Sequence, residues 1–181
     1  MFLDLIRQRR SVRRYTSQPI DRETRKKLME AALRAPSSRS FNPWQFIVVD
    51  DSDTLEKLSK SKPHGASFLK NAPMGIVVCA DATASDVWVE DCSIASVFIH
   101  LAAASLGLGS CWIQIRKRDH DQTMSADTYI KDLLGVPDNL MIESIIAIGY
   151  PDEEKPGHAN DKLEHDKVFL NRFGQKGIDG S

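Results

Sequence analysis

The sequence predicts a single domain in which a central sheet is flanked by helices. The hydrophobic period alternates between helix and strand as far as Tyr150, and four short apolar or β-branched segments have the length of strands. With 181 residues, 41% of them hydrophobic, the chain can bury one substantial core. Taken alone, the alternation of helices and strands also suits a doubly wound parallel sheet.

The first half of the chain is predicted to contain three helices and two strands. Phe2, Leu5 and Ile6 mark a short amphipathic helix. A second helix begins after Asp21, a good N-cap, and ends before Pro36. The remaining elements are a strand at 44–49, a helix around 55–58 and an almost wholly apolar strand at 74–80.

The longest predicted helix spans residues 86–106, about 30 Å at 1.5 Å per residue. Its apolar residues occupy more than one stripe, which indicates burial in the core or between subunits. Polar residues interrupt it too often for a membrane span. After Gly107 follow a strand at 110–115, a helix at 129–134 and a strand at 142–148.

The segment after Tyr150 has a different composition. Residues 151–181 are rich in charges and carry few apolar side chains, too few for a core of their own. We therefore predict one domain over residues 1–181 whose C-terminal extension, 151–181, lies over another surface, such as a partner subunit.

Charge and cysteine usage narrow the classes of function. The chain has 24 Lys+Arg against 25 Asp+Glu, which gives no overall field for nucleic acid or an anionic membrane. Cys79, Cys92 and Cys111 lie in apolar segments without CxxC spacing, and no secretory signal precedes them. We expect buried thiols, a cytoplasmic protein, no nucleic-acid partner and no membrane partner. The histidines lack metal-ligand spacing, so no metal is expected.

The run from Arg7 to Tyr15 concentrates five arginines in a chain of net charge -1. Arginine offers a planar fork of donors that fits a phosphate, and Ser11 adds a hydroxyl. An anion site is one interpretation. A solvated basic face and a nucleic-acid patch are the alternatives.

A loop of small polar residues forms the second candidate site. Residues 35–44 read APSSRSFNPW, with hydroxyls and an amide between two prolines that fix the turn. This composition suits close approach to the edge of a heteroaromatic ring. An ordinary helix-to-strand connection is the alternative.

Four segments taken together resemble the FMN-dependent nitroreductase family, which includes NAD(P)H nitroreductases and flavin reductases. They are RRSVRRY, APSSRSFNPWQFIVV, LAAASLGLGSCW and IIAIGYPDEEKP, in this order and at these intervals. The resemblance implies an α+β fold with a mixed, mainly antiparallel sheet, instead of a doubly wound one. It also implies an obligate homodimer with the long helix at the interface, the C-terminal extension on the partner subunit, and one FMN in each of two interfacial sites.

Position by position, the resemblance assigns contacts to individual residues. The phosphate and ribityl contacts fall on Arg9, Arg10, Ser11 and Arg13. The loop that reaches the flavin across the interface contains Pro36, Ser37, Ser38 and Ser40, where the family usually has asparagine at the position of Ser40. The backbone that faces the hydride-accepting edge of the ring belongs to Trp112, Ile113 and Gln114, followed by Ile115. A basic residue near the C-terminus that reaches the phosphate is matched by Lys162, with Lys155 as a second candidate.

The implied activity is hydride transfer from NADH or NADPH to a small electron-poor acceptor, such as a nitroaromatic or quinone, by a ping-pong mechanism. Because the cofactor carries this chemistry, no catalytic side chain is expected. His100 and Cys111 are interpreted as core residues, and Glu90 and Asp91 as a solvated helix end. An FMN-binding carrier or redox sensor without turnover remains an alternative, as does a nucleic-acid-binding module.

Overall fold

The computed structural model describes residues 1–175, which contain five α-helices and four strands. The helices are α1 (Phe2–Gln8), α2 (Arg22–Leu33), α3 (Ser52–Leu58), α4 (Trp88–Ser105) and α5 (Ala126–Leu134). The strands are β1 (Trp44–Val49), β2 (Met74–Asp81), β3 (Gly109–Gln114) and β4 (Leu140–Gly149). Each predicted helix and strand is present, with ends that differ by a few residues.

The four strands form one antiparallel sheet in the order β1-β2-β4-β3. This order rules out the doubly wound parallel sheet that the alternating pattern allowed. The α+β fold implied by the resemblance is confirmed. Within residues 1–175 the one parallel pairing is an isolated bridge between Ser11 and Ser110, so the mixed character of the sheet is confined to this bridge.

Helices cover both faces of the sheet. On one face α2 and α4 pack on side chains of β2 and β4 that include Ile76, Val78 and Ile146. On the other face α3 and α5 pack on the alternate set, which includes Val77 and Ile145. Because both faces are buried, β2 is a continuous apolar run without polar alternation.

The boundaries of the helices have local causes. The Asp21 carboxylate accepts a hydrogen bond from the Thr24 amide at 2.9 Å, so α2 begins where the N-cap predicted. The Ser125 hydroxyl accepts from the Thr128 amide at 3.0 Å, which starts α5 one turn earlier than the apolar pattern predicted. Gly135, at φ 66°, ends α5 in the left-handed conformation.

The chain after β4 lies on the surface. Residues 151–175 contain two short 3-10 turns, Asn160–Lys162 and His165–Lys167. Their exposed apolar side chains are Leu163, Val168, Phe169, Leu170 and Phe173. No helix in the described part of the chain is long and apolar enough to cross a membrane.

Candidate functional site

The arginine run lies beside the first residue pair of β3. The Val12 amide donates to the Ser110 carbonyl at 3.0 Å, next to the Ser11–Ser110 bridge. Gly109 permits this approach, because a Cβ there would lie 2.7 Å from the Val12 side chain. The segment that carries the predicted anion ligands is therefore fixed to the start of the strand that carries Trp112 and Gln114.

A cavity of about 210 Å³ opens between the arginine run, the end of α4 and the start of the tail. Its cationic lining consists of Arg9, Arg10 and Lys155, and Glu153 is the one acidic side chain in the lining. Ser110 also lines it. This combination of guanidinium, ammonium and hydroxyl donors suits a phosphate.

Two residues just after β4, Glu153 and Lys155, hold the arginine run by hydrogen bonds to its backbone. Lys155 Nζ donates to the Ser11 carbonyl at 3.0 Å and to Glu153 Oε1 at 2.8 Å. The same Glu153 oxygen accepts from the Arg13 amide at 2.6 Å and from the Arg14 amide at 3.3 Å. These hydrogen bonds, the one from the Arg13 amide above all, hold the pKa of Glu153 below its usual range. Glu153 is therefore an anion that orders the backbone of the cationic segment.

The outer edge of β3 presents backbone groups that the sheet does not use. β3 is the last strand in the sheet order, and Gln114 stands opposite Ser144 of β4. The Ile115 amide donates to the Glu143 carbonyl at 3.1 Å. Since hydrogen-bonded and non-bonded pairs alternate in an antiparallel ladder, the Gln114 amide points away from β4. Two and four residues earlier, Trp112 and Ser110 face the same edge, and the Ser110 carbonyl meets Val12 there.

The side chains at this edge are held by hydrogen bonds. Trp112 Nε1 donates to Gln114 Oε1 at 2.9 Å, and Gln114 Nε2 donates to the Arg116 carbonyl at 3.0 Å. The Arg116 guanidinium lies 5.6 Å from the centre of the Trp88 ring. Ile113 points into the core and is fully buried. These hydrogen bonds fix the side chains of Trp112 and Gln114 at the edge of β3.

Glu143 lies behind this edge at an irregularity of β4. The pairing register shifts between Val78 and Cys79, so Glu143 is the extra residue of a β-bulge. Its side chain is 3% exposed, and Oε2 has no hydrogen-bond partner. Burial raises the pKa of the Glu143 carboxyl, and the opposing effect of Arg116 is smaller.

The loop between α2 and β1 has a constrained backbone. Arg39, Ser40 and Asn42 have φ of 50°, 57° and 47°, a left-handed conformation that costs energy without glycine. The Ser37 hydroxyl donates to Asn42 Oδ1 at 2.8 Å and accepts from the Asn42 amide at 2.9 Å, which closes the base of the loop. Pro36 and Ser40 are exposed, and Ser37 and Ser38 are half-buried.

Asp91 ties this loop to the first turn of α4. Its carboxylate accepts from the Ser38 amide at 2.8 Å and from the Ser85 hydroxyl at 3.0 Å. The interpretation of Glu90 and Asp91 as a solvated helix end holds for Glu90, which is exposed, and is wrong for Asp91, which is 2% exposed. The side chain turns inward because the loop passes directly over the helix.

Within one chain, the two groups of predicted FMN ligands, the arginine run and the loop between α2 and β1, lie at opposite ends of α4. The loop is held at Asp91, whereas Ala104 lines the arginine cavity. Positions 91 and 104 are thirteen residues apart, which corresponds to about 20 Å along a helix. Lys162 is also away from the cavity lining, in the exposed turn Asn160–Lys162, and Lys155 occupies the position beside Ser11.

His100 is half-buried and Cys111 is buried, and both are held in their neutral forms at neutral pH. His100 Nδ1 lies 2.7 Å from the Ser110 hydroxyl, and burial lowers the pKa of His100 to about 4. Burial likewise raises the pKa of the Cys111 thiol, although Arg13 and Lys155 act in the opposite direction. Within residues 1–175 no group of three or more His, Cys, Asp or Glu side chains could hold a metal ion.

Comparison with known proteins identifies the family. The model of the nitroreductase family matches residues 6–63 and 60–150. The chain belongs to the nitroreductase family. The structure of an FMN-dependent nitroreductase from Clostridium difficile superposes with a TM-score of 0.93 at 46% identity, covering 94% of this chain and 99% of that one. A relative from Archaeoglobus fulgidus, provisionally named NADH dehydrogenase/NAD(P)H nitroreductase, is 40% identical over 94% of this chain and 98% of its own length. The FMN reductase [NAD(P)H] of Bacillus subtilis is 26% identical over 90% of this chain and 72% of its own.

Membership of the nitroreductase family confirms the resemblance drawn from the four segments, while the individual ligand assignments stay predictions. The contact of Asp91 with the loop was not predicted from the sequence, and of the two basic candidates after β4, Lys155 lies beside Ser11. A carboxylate in the first turn of a helix whose residues are mostly apolar was a usable signal for Asp91. The position of Glu143 in a bulge has no signal in the local sequence.

Proposed function

We propose that this chain is a homodimeric FMN-dependent oxidoreductase that transfers hydride from NADH or NADPH to an electron-poor acceptor, such as a nitroaromatic or a quinone. The observation that carries the proposal is the junction of a cationic cavity with the free edge of β3. The names of the relatives, an FMN-dependent nitroreductase and an FMN reductase [NAD(P)H], support the same cofactor and electron donor.

The residues present fit FMN in two respects. Its phosphate requires several cationic donors, and Arg9, Arg10 and Lys155 line one cavity. Its ring requires hydrogen-bond donors along one edge, and the Gln114 amide points away from the sheet beside a rigid Trp112. Bound FMN would supply the hydride chemistry, accepting hydride from one substrate and giving it to the next.

The proposed ligands divide by role. Arg9, Arg10, Ser11 and Arg13 bind the phosphate and ribityl chain, assisted by Lys155 and, from the tail, by Lys162. Of these, Arg9, Arg10 and Lys155 line the cavity in this structure, whereas Arg13 lines a separate cavity with Lys70 and Asp152. Trp112 and Gln114 bind the edge of the ring through their backbone, and Ile113, predicted with them, instead pairs with Ile145 of β4 and fixes their position. Pro36, Ser37, Ser38 and Ser40 of the partner subunit's loop complete the site. No side chain acts as an acid, base or nucleophile in this proposal, because His100 and Cys111 are held in their neutral forms.

A homodimer resolves the separation of the two ligand groups along α4. Two antiparallel copies of α4 would bring the loop of one subunit to the arginine cavity of the other. Apolar side chains suited to an interface are exposed on α1 and α4, namely Phe2, Leu3, Ile6, Ile94, Val97 and Phe98. A cytoplasmic location accompanies the proposal, since Cys79, Cys92 and Cys111 are free thiols.

The test is flavin content and binding in matched variants. We expect the purified protein to be yellow with one FMN per chain. Arg9→Ala should weaken FMN binding about 10- to 150-fold, the effect of losing one charge-assisted hydrogen bond. Arg7→Ala is the control, because Arg7 is exposed and paired with Asp4 at 3.0 Å. Equal dissociation constants in both variants would contradict the phosphate assignment.

Kinetics separate the enzyme from a carrier or sensor. With NADH and menadione, initial rates should give parallel double-reciprocal lines, because donor and acceptor use one site in turn. His100→Gln and Cys111→Ser should retain turnover within about tenfold, a barrier change of roughly 1.4 kcal/mol. A flavin-loaded protein that does not oxidise NADH or NADPH would favour the carrier, and intersecting lines would indicate a ternary complex.

A further inference from the structure

Within residues 1–175, a hydrogen bond between the Ser38 amide and Asp91 links the loop of residues 37–42 to a different element of the fold. Its base is closed internally by Ser37 and Asn42, and Arg39, Ser40 and Asn42 hold left-handed φ values. Such a backbone persists only where its surroundings fix it. The Ser38 amide is half-buried and donates at 2.8 Å to Asp91, on a different element of the fold.

Asp91 is suited to this task because it is itself fixed. It lies in the first turn of α4 and is 2% exposed. Its second oxygen accepts from the Ser85 hydroxyl at 3.0 Å, and Ser85 in turn accepts from the Val87 amide at 3.3 Å. Both carboxylate oxygens are therefore satisfied, which a buried carboxylate requires.

We propose that Asp91 is a positioning residue that holds the loop of residues 37–42 in the conformation that binds the partner subunit's FMN. It acts through the Ser38 amide and does not touch the cofactor. This inference rests on the proposed function, because that proposal places the loop at the flavin. It adds a residue at the buried start of α4 that controls cofactor affinity from a distance.

The hydrogen bond itself, and not the negative charge, carries the effect. Asp91→Asn keeps an oxygen for the Ser38 amide and supplies an N–H to the Ser85 hydroxyl, so it should bind FMN within about threefold of wild type. Asp91→Ala leaves the Ser38 amide without its acceptor and should weaken FMN binding about tenfold or more. Glu90→Ala is the matched control, since Glu90 is the exposed neighbour on the same helix turn.

The experiment measures FMN dissociation constants by flavin fluorescence and the melting temperature of each apoprotein. Weakened binding in Asp91→Ala with rescue in Asp91→Asn supports the proposal. Wild-type affinity in Asp91→Ala overturns it, and so does equal loss in Asp91→Asn. If Asp91→Ala does not fold, Ser38→Pro removes the same donor without altering α4, because the first position of a 3-10 turn tolerates proline. Ser38→Ala, which keeps the amide and loses the hydroxyl, is its control, and Ser38→Pro should weaken FMN binding more than Ser38→Ala does. Unchanged affinity in Ser38→Pro also overturns the proposal.

Hydrogen exchange of the apoprotein separates this inference from the proposed function. The Ser38 amide should exchange faster in Asp91→Ala than in wild type, and at the wild-type rate in Asp91→Asn and Glu90→Ala. If the Ser38 amide of wild type is protected by Asp91 but the protein binds no FMN, the proposed function is wrong, while the role of Asp91 in holding the loop is supported. If the Ser38 amide exchanges at the same rate in all variants, Asp91 does not hold the loop, and the inference is wrong whatever the protein binds.

Discussion

His100 shows how a single half-buried side chain links the fold to pH. Burial, aided by the nearby charge of Arg9, lowers the pKa of His100 from 6.5 to about 4. The unfolded chain therefore binds a proton more readily than the folded one between these values. The free energy of unfolding falls as the pH drops from 6.5 towards 4, by at most about 3 kcal/mol from this residue.

We predict that His100→Gln makes the apoprotein less sensitive to acid. Glutamine can still hydrogen-bond to the Ser110 hydroxyl, so the melting temperature at pH 7.5 should change little. Between pH 6.5 and 4.5 the variant should lose less stability than wild type. His64→Gln is the control, because His64 is exposed. Parallel curves for wild type and His100→Gln would mean that the ring does not titrate with unfolding.

At the scale of elements, α4 contacts both the loop of residues 37–42, through Asp91, and the cavity beside the arginine run, through Ala104. It was recognisable in the sequence because it is apolar nearly all round, and its inner face packs on both α2 and the sheet. Its outer face leaves Ile94, Val97 and Phe98 exposed by 38%, 50% and 36%. In the proposed homodimer this face is the surface that the partner subunit covers.

A charge on this face should separate the subunits. Val97→Glu would require burial of two carboxylates at the interface, and we expect the dimer dissociation constant to rise by at least about tenfold. FMN binding should weaken in parallel, since each site needs the partner's loop. Analytical ultracentrifugation and FMN titration measure the two effects. Asp132→Lys, on the exposed side of α5, should alter neither. A flavin-loaded Val97→Glu dimer would locate the interface elsewhere.

Periodicity was sufficient to locate the elements but not to order the sheet. The runs at 44–49 and 74–80 predict strands because both are rich in β-branched or aromatic side chains, and of the two only the run at 74–80 is buried on both faces. Strand order and direction depend on contacts between distant segments, so only the family resemblance could supply them. The same limit applies to the site: the arginine run is visible in the sequence, whereas the Ser38–Asp91 hydrogen bond spans 53 positions.

At the scale of the whole molecule, the C-terminal extension contains two parts, of which the first is hydrogen-bonded to the arginine run and the second is exposed. Residues 151–157 are hydrogen-bonded to the arginine run of their own chain. Lys155 Nζ donates to the Ser11 carbonyl, and the Arg10 guanidinium donates to the Pro156 carbonyl. Gly157 lies so close to α1 that a Cβ there would overlap the Arg7 carbonyl oxygen. From residue 158 to 175 the described side chains are exposed, apolar ones included.

Two truncations should therefore behave differently. Deleting residues 151–181 removes Glu153 and Lys155, so the arginine run loses the groups that order it and the protein should aggregate or lose FMN. Deleting residues 158–181 keeps those groups and removes the exposed apolar tail, together with Lys162. We expect a folded protein with a melting temperature near that of wild type as an apoprotein and a weaker dimer, because apolar surface that would cover the partner is gone. Size-exclusion chromatography, melting curves and FMN content distinguish the two. Equal behaviour of both truncations would show that the hydrogen bonds of residues 151–157 do not stabilise the arginine segment, and that the extension acts as one unit.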